Sequence, residues 1–193
     1  KLMSGLAPPR SYVEDVNWMR RGTQKVTMVS TNNSGENIES LSSGEHCPNG
    51  LACTKDYEEG LAYAKKHNKP VFLDFTGYTC VNCRKMEDNI WVDPKIDNIL
   101  RNDYVVISLY VDDKKKLPKD EQRTETIFGK EMKIKTVGNK WSYMQTSRFK
   151  TNSQPYYVLM TPDEEVLVDP VGYTPDVDDY EAYLKSGLEA FKK

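Results

Sequence analysis

The sequence predicts an α/β fold, a mixed β-sheet flanked by helices, with an N-terminal extension and an insert ahead of the last strands. Three observations carry this reading. Two apolar runs, "VFLDF" from Val71 and "YVVISLYV" from Tyr104, have the length and the β-branched and aromatic content of buried strands. Amphipathic helical patterns stand before, between and after the strand segments. The resulting order of helix, strand, helix, strand, insert, strand, strand, helix is that of an α/β layout.

Each element has a local reason. From Lys1 to about Gly50 the chain is rich in Ser, Asn, Gly and Glu, as in "STNNSGENIESLSSGE", which predicts a linker of low intrinsic order; only "KVTMVS" alternates enough for a short strand. Asp56 followed by Glu59 is a capping pair, and Tyr57, Leu61 and Ala64 fall on one helical face. Lys69-Pro70 ends that helix. A second helix is expected from about Cys80, with Cys83, Met86, Glu87 and Ile90 on one side, and "DPKIDNILRN" predicts a third. Residues 112–153 form a long polar insert with a helix expected over Trp141 to Phe149. "PYYVLM" and "EVLVDPVGY" predict a strand pair turning at "TPDEE", and a closing helix turns Val177, Tyr180, Leu184, Leu188 and Phe191 inward. The expected organisation is a connector over 1–50 and one domain over 51–193.

The bulk numbers narrow the function. At 193 residues and 22.2 kDa the chain can bury one ordinary core. A formal charge of −2 and a pI near 5.8 lack the basic excess that phosphate backbones demand, so nucleic acid is not an expected partner. No apolar segment approaches the ~18 residues of a membrane span, and no signal-peptide pattern is visible. The sequence starts at Lys1 rather than methionine, and it is therefore expected to be a piece of something longer. The fragment itself is expected to be a soluble monomer.

Chemistry concentrates in "FTGYTCVNCRKME", Phe75 to Glu87, where Cys80 and Cys83 stand three apart between a strand and a helix. That setting suits a redox dithiol. A cysteine at a helix N-terminus meets unpaired backbone N–H groups and the positive end of the helix dipole, which favour thiolate. Cys80 is thus expected to attack or be attacked, and Cys83, one turn further in, to resolve the mixed disulfide. The other two cysteines, in "CPNGLAC", have a Pro-Gly turn that could bring Cys47 and Cys53 together. A structural disulfide is the first reading of that pair, with two free thiols or a second redox pair as alternatives.

The segment "DYEEGLAYAKKHNKPVFLDFTGYTCVNCRKMEDNIWVDPKI", with "QPYYVL" further on, resembles a thioredoxin-like fold, and specifically the C-terminal periplasmic domain of the transmembrane thiol:disulfide interchange protein DsbD. The resemblance runs from about Asp56 to Phe191. It implies a protein-disulfide reductase that relays electrons from a membrane-embedded domain of the same longer protein to periplasmic disulfide proteins. It implies a periplasmic location tethered to the inner membrane, and no metal or cofactor. It aligns Asp74 with the buried thioredoxin carboxylate and Glu87 with an acid of the DsbD-type domain, both able to take the proton Cys83 must lose. It also implies that the Gln154–Pro155 bond is cis and that Tyr78, Thr79, Gln154 and Pro155 meet the partner chain. Thr79 stands where thioredoxins usually carry Trp, and Val81-Asn82 has neither the His of strong oxidants nor the Pro of thioredoxin. Buried negative charge at positions 74 and 87 would disfavour thiolate and push the pair toward a reductant.

Two rivals remain at this stage. C-x-x-C is also half of a zinc knuckle, although the Cys47 and Cys53 spacing is too wide for a second one. A non-catalytic binding or chaperone module with a structural disulfide is the other, which the two acids argue against.

Overall fold

The computed structural model describes residues 47–193. Cys53–Thr54 forms a short strand β1, and Asp56 then caps α1, Tyr57–Lys66, its carboxylate accepting from the Glu59 N–H at 3.0 Å. Glu59 does not close the capping box; its own carboxylate accepts from the Thr54 hydroxyl at 3.0 Å instead. β2 is Val71–Thr76, α2 is Val81–Asn89, α3 is Pro94–Asp103 and β3 is Val105–Tyr110. The insert contributes β4, Arg123–Ile127, β5, Lys130–Ile134, and α4, Val137–Phe149. β6, Tyr156–Met160, and α5, Val177–Phe191, complete the described chain.

The central sheet has the order β1-β3-β2-β6, with β1, β3 and β2 parallel and β6 antiparallel to β2. It is the mixed sheet expected. Strand alternation sorts its residues onto two faces. Phe72, Val106, Tyr157 and Leu159 face α2, α3 and α5, packing with Met86, Trp91, Ile96, Leu100, Tyr180 and Leu184. Val71, Leu73, Phe75, Ile107, Leu109 and Val158 face the other way, onto Tyr57, Ala64 and Trp141. Full burial of an aromatic such as Phe72 stabilises the fold by about 2–3 kcal/mol. The same alternation turns Asp74 to the Phe72 side, toward α2. A polar residue in a strand buried along its whole length needs a partner there, and Ser108, its register neighbour on β3, provides one.

Three expectations are corrected. The insert holds a β-hairpin that polar composition concealed, because β4 and β5 are largely exposed on both faces and show no apolar alternation. Its helix starts at Val137 rather than Trp141, since Thr136 and Asn139 make a reciprocal capping box. Gly138 lets that start lie close under β3: a Cβ there would stand 2.6 Å from the Val111 carbonyl oxygen. The strand expected over Glu165 to Tyr173 is not regular, and the segment pairs with β6 through two isolated bridges, Met160 with Val166 and Tyr157 with Val171. Pro170 has no N–H to donate to a ladder, and the pairing is limited to isolated bridges.

Most of the 1–50 connector, including "KVTMVS", lies outside the described residues. Its last residues pack on the domain: Cys47 is buried in the core and Pro48–Gly50 makes a 3-10 turn. Among the described residues no helix is long and apolar enough to cross a membrane.

Candidate active site

Cys80 is the N-cap of α2 and Cys83 lies in its first turn. The two are joined in a disulfide with Cα atoms 5.3 Å apart, and the Cys83 N–H donates to the Cys80 sulfur at 3.2 Å. Cys80 is half-buried, whereas Cys83 is 1 % exposed. The helix start therefore presents one sulfur to solvent and hides the other.

The loop that delivers Cys80 is held from β3. Asp112, just past that strand, accepts the backbone N–H groups of Tyr78 and Thr79 at 2.9 and 3.1 Å and the Thr79 hydroxyl at 3.1 Å. Partial burial works to raise its pKa, but these hydrogen bonds prevail and hold the carboxyl below its ordinary value. Gly77 leaves room for it, since a Cβ there would sit 3.1 Å from Asp112 Oδ2. Tyr78 is 52 % exposed and stacks on Tyr110 with ring centroids 4.2 Å apart. The Lys55 ammonium lies 4.8 Å from the Tyr110 centroid and 3.3 Å from the Tyr78 hydroxyl.

Behind the dithiol stand two buried acids. Asp74 is buried, with Ser108 Oγ donating to it at 3.2 Å. Burial pushes its pKa up to about 7, against the Ser108 hydrogen bond and the Arg84 charge. Glu87 is buried one turn beyond Cys83, and burial pushes it up to about 8 although the Arg84 guanidinium lies 2.7 Å away and pulls it down. The Asp74 charge adds to the upward push on Glu87. Neither occupies the surface or strand-end position that a merely structural acid would take.

The Gln154–Pro155 peptide is cis and Pro155 is buried at the mouth of β6, whose Tyr156 pairs with Phe75 at the end of β2. The insert secures this loop. Gln145 of α4, fully buried, donates to the Ser153 carbonyl at 2.9 Å and accepts from Gln154 Nε2 at 2.8 Å, and Ser142 Oγ donates to Asn152 at 3.1 Å.

A strand ending in a capped helix with a solvent-facing C-x-x-C, beside a cis-proline at the head of an antiparallel strand, marks one fold. The model of the thioredoxin-like domain matches residues 57–188, well over half of the chain. This chain belongs to the thioredoxin-like domain family. No curated protein sequence matches it significantly. Among solved structures, it is similar to a DsbH oxidoreductase at 21 % identity and a TM-score of 0.52, over 81 % of this chain and 95 % of that one. It is similar to a thioredoxin from Thermus thermophilus at 20 % identity and a TM-score of 0.48, covering 69 % and 84 % of the two chains. The reduced C-terminal domain of DsbD from Neisseria meningitidis matches at 14 % identity and a TM-score of 0.43, covering 69 % and 98 %.

The structure thus places Cys80, Cys83 and Glu87 on the first two turns of α2 and Asp74 on the strand that leads to it, with Tyr78 and Thr79 on the approach loop and Gln154-Pro155 at β6. Cys47 and Cys53 are elsewhere, linked to each other with Cα atoms 5.9 Å apart inside the core. Sequence reasoning overlooked Asp112, Gln145 and Arg84. Asp112 and Gln145 lie in the stretch read as a polar insert, and nothing in the sequence singles out Arg84, because the contacts that give these residues meaning span 30 or so residues or depend on burial.

Proposed function

We propose that this domain is a thiol:disulfide oxidoreductase in which the Cys80–Cys83 dithiol reduces disulfides of partner proteins. The observation that carries the reading is the asymmetry of the pair: a half-exposed N-cap sulfur, a buried second sulfur one turn on, and two buried carboxyls behind it. In the reduced form the Cys80 thiolate attacks a partner disulfide, a Cys80–partner S–S bond forms, and one partner sulfur leaves as thiolate and takes a proton from solvent. Cys83 then gives its proton to a carboxylate and attacks Cys80. The Cys80–Cys83 bond forms, the Cys80–partner bond breaks, and the second partner sulfur leaves. Two electrons have passed from the dithiol to the partner.

The direction is that of a reductant, because buried carboxylate charge disfavours thiolate and so destabilises the reduced pair. The wider role we assign is a relay like that of the DsbD C-terminal domain: electrons come from a membrane-embedded domain of the same longer protein and go to periplasmic disulfide proteins, with the domain tethered to the inner membrane. The sequence resemblance supports this role. Equilibration of the Cys80–Cys83 pair against glutathione and thioredoxin tests it. A potential between about −200 and −270 mV fits a reductant, and one near −120 mV fits an oxidant and would overturn the direction. Absence of any exchange with a small disulfide would leave a thioredoxin-fold binding module with a structural disulfide.

A further inference from the structure

Arg84 directly follows Cys83, and its guanidinium is built into the floor of the site. Nη1 stands 2.7 Å from Glu87 Oε2, Nη2 donates to Thr76 Oγ1 at 3.2 Å, and Nη2 also reaches the Gly77 carbonyl at 3.5 Å. These contacts strap α2 to the last residue of β2 and to the first residue of the loop that carries Cys80. Nε is buried with no hydrogen-bond partner among the described residues. The side chain is 39 % exposed, so part of it meets water, yet Nε stays buried and unpaired while the fork holds Glu87 and the strand end.

The charges around it single it out. Asp74 faces the site from β2, Glu87 and Asp88 from α2, and Tyr110 from β3 with Lys55 beside it. Tyr157 on β6 and Tyr180 on α5 face the acids as well, and burial holds both hydroxyls protonated. Lys55 is engaged with Tyr78 and Tyr110 at the rim. Among the described residues, Arg84 is the cation that acts on both Asp74 and Glu87.

We propose that Arg84 is a positioning residue of the dithiol: its guanidinium ties the Glu87 carboxylate to the end of β2 and keeps the Asp74–Glu87 pair able to accept the proton that Cys83 releases. The inference rests on the oxidoreductase reading above. A carboxyl can take the Cys83 proton only while it is ionised. Burial drives both acids toward the protonated form; the guanidinium opposes it at Glu87 through the ion pair, and at Asp74 alongside the Ser108 hydrogen bond. Without the cation both acids protonate at higher pH, and the fraction of carboxylate left to accept the proton near neutrality falls further.

The test measures resolution of a mixed disulfide between Cys80 and 5-thio-2-nitrobenzoate, by release of the coloured thiolate, from pH 5.5 to 9.5. Wild type, Arg84→Met and Arg84→Lys are compared. For Arg84→Met the rising limb of the profile should move up by about one pH unit, making resolution about tenfold slower below pH 7 and closing the gap at the alkaline end. Arg84→Lys, which keeps the charge, should return the limb most of the way. A merely structural arginine would lower the rate by one factor at every pH, and that parallel profile, or an unchanged one, overturns the proposal. Should Arg84→Met fail to fold, Arg84→Gln retains a donor for Thr76 and loses the charge, and the same displacement is expected of it. If the wild-type mixed disulfide resolves at no pH, the oxidoreductase reading itself falls; if wild type resolves and the variants run parallel to it, only the role of Arg84 does.

Discussion

The molecule holds two disulfides of similar span and opposite surroundings. Cys47 and Cys53 are each 7 % exposed and lie in a hydrophobic cluster with Leu51, Ile99 and Tyr104, bridging a turn whose Asn49 and Gly50 take positive φ angles. No α-helix starts at either sulfur; Cys47 is followed only by the three-residue 3-10 turn Pro48–Gly50. Cys80 and Cys83 sit at a helix start with one sulfur turned outward and two ionisable groups behind. The bond is the same, and what differs is access for a third sulfur and a place for a proton. Among the described residues the first pair shows neither, as a staple would; the second has both. The staple still borders the site, since Asn49 in its turn donates to the Glu87 carbonyl at 3.4 Å.

The sharpest break between the pairs is expected in turnover. Cys80→Ser or Cys83→Ser should abolish reduction of a protein disulfide, by at least about three orders of magnitude, with Cys83→Ser leaving partners trapped on Cys80. The double variant Cys47→Ala/Cys53→Ala should keep turnover within a few-fold and instead lose about 2 kcal/mol of stability in urea titration, the chain-entropy value for so short a loop. Loss of turnover in that folded double variant would erase the contrast and make the staple part of the chemistry.

Accessibility should differ within the second pair itself. After gentle reduction, mass-resolved alkylation should modify Cys80 about a hundredfold faster than Cys83, which has 1 % of its surface exposed. Equal rates would exchange or dissolve the assigned roles.

The acids supply a pH signature that the staple lacks. Burial raises the folded pKa of Asp74 to about 7 from the ordinary carboxylate value of about 4, so the folded state holds a proton that the unfolded chain gives up above pH 4. The stabilisation from this group is complete below pH 4 and is lost as pH rises through 7. Asp74→Asn should therefore gain about 2–4 kcal/mol relative to wild type at pH 8 and almost nothing at pH 4, read from urea midpoints at the two pH values. In the same variant the thiol pKa should fall and the potential move toward oxidising by tens of millivolts, where about 30 mV corresponds to ~1.4 kcal/mol. Glu87→Gln should act in the same direction. A flat pH response and an unchanged potential in both would remove the acids from the site while leaving the dithiol in place.

The smallest effect is expected at the approach loop. Asp112→Ala frees the Tyr78 and Thr79 N–H groups and should raise the KM for a protein disulfide a few-fold with little change in kcat, because the loop loses its anchor and the sulfurs keep their helix. A large fall in kcat would instead tie Asp112 to the bond exchange.

Much of this was legible in one dimension because its causes are local. Strand hydrophobicity, the Asp56 cap, the proline stops and the strand-to-helix placement of Cys80 and Cys83 each depend on a few neighbouring residues, and period-2 and period-3.6 patterns carry them. The resemblance added Asp74, Glu87 and the cis-proline as positions. The insert defeated the reading for a physical reason: a hairpin exposed on both faces need not alternate, and Asp169-Pro170 halts a strand that apolar content alone would extend.

What the sequence by itself determined is the chemistry available, two cysteine pairs of different spacing and acids at fixed offsets from one of them, together with the elements that carry them. Tertiary structure alone decided the environments. Whether Asp74 is half-protonated near neutral pH depends on a sheet face closed by α2 and on Ser108 arriving from β3. The place of Arg84 against Glu87 and Thr76, and of Gln145 beneath the cis-proline loop, depends likewise on which surfaces meet. Desolvation and Coulomb interaction act through space over a few ångströms, and the chain's order does not state which residues will be that close.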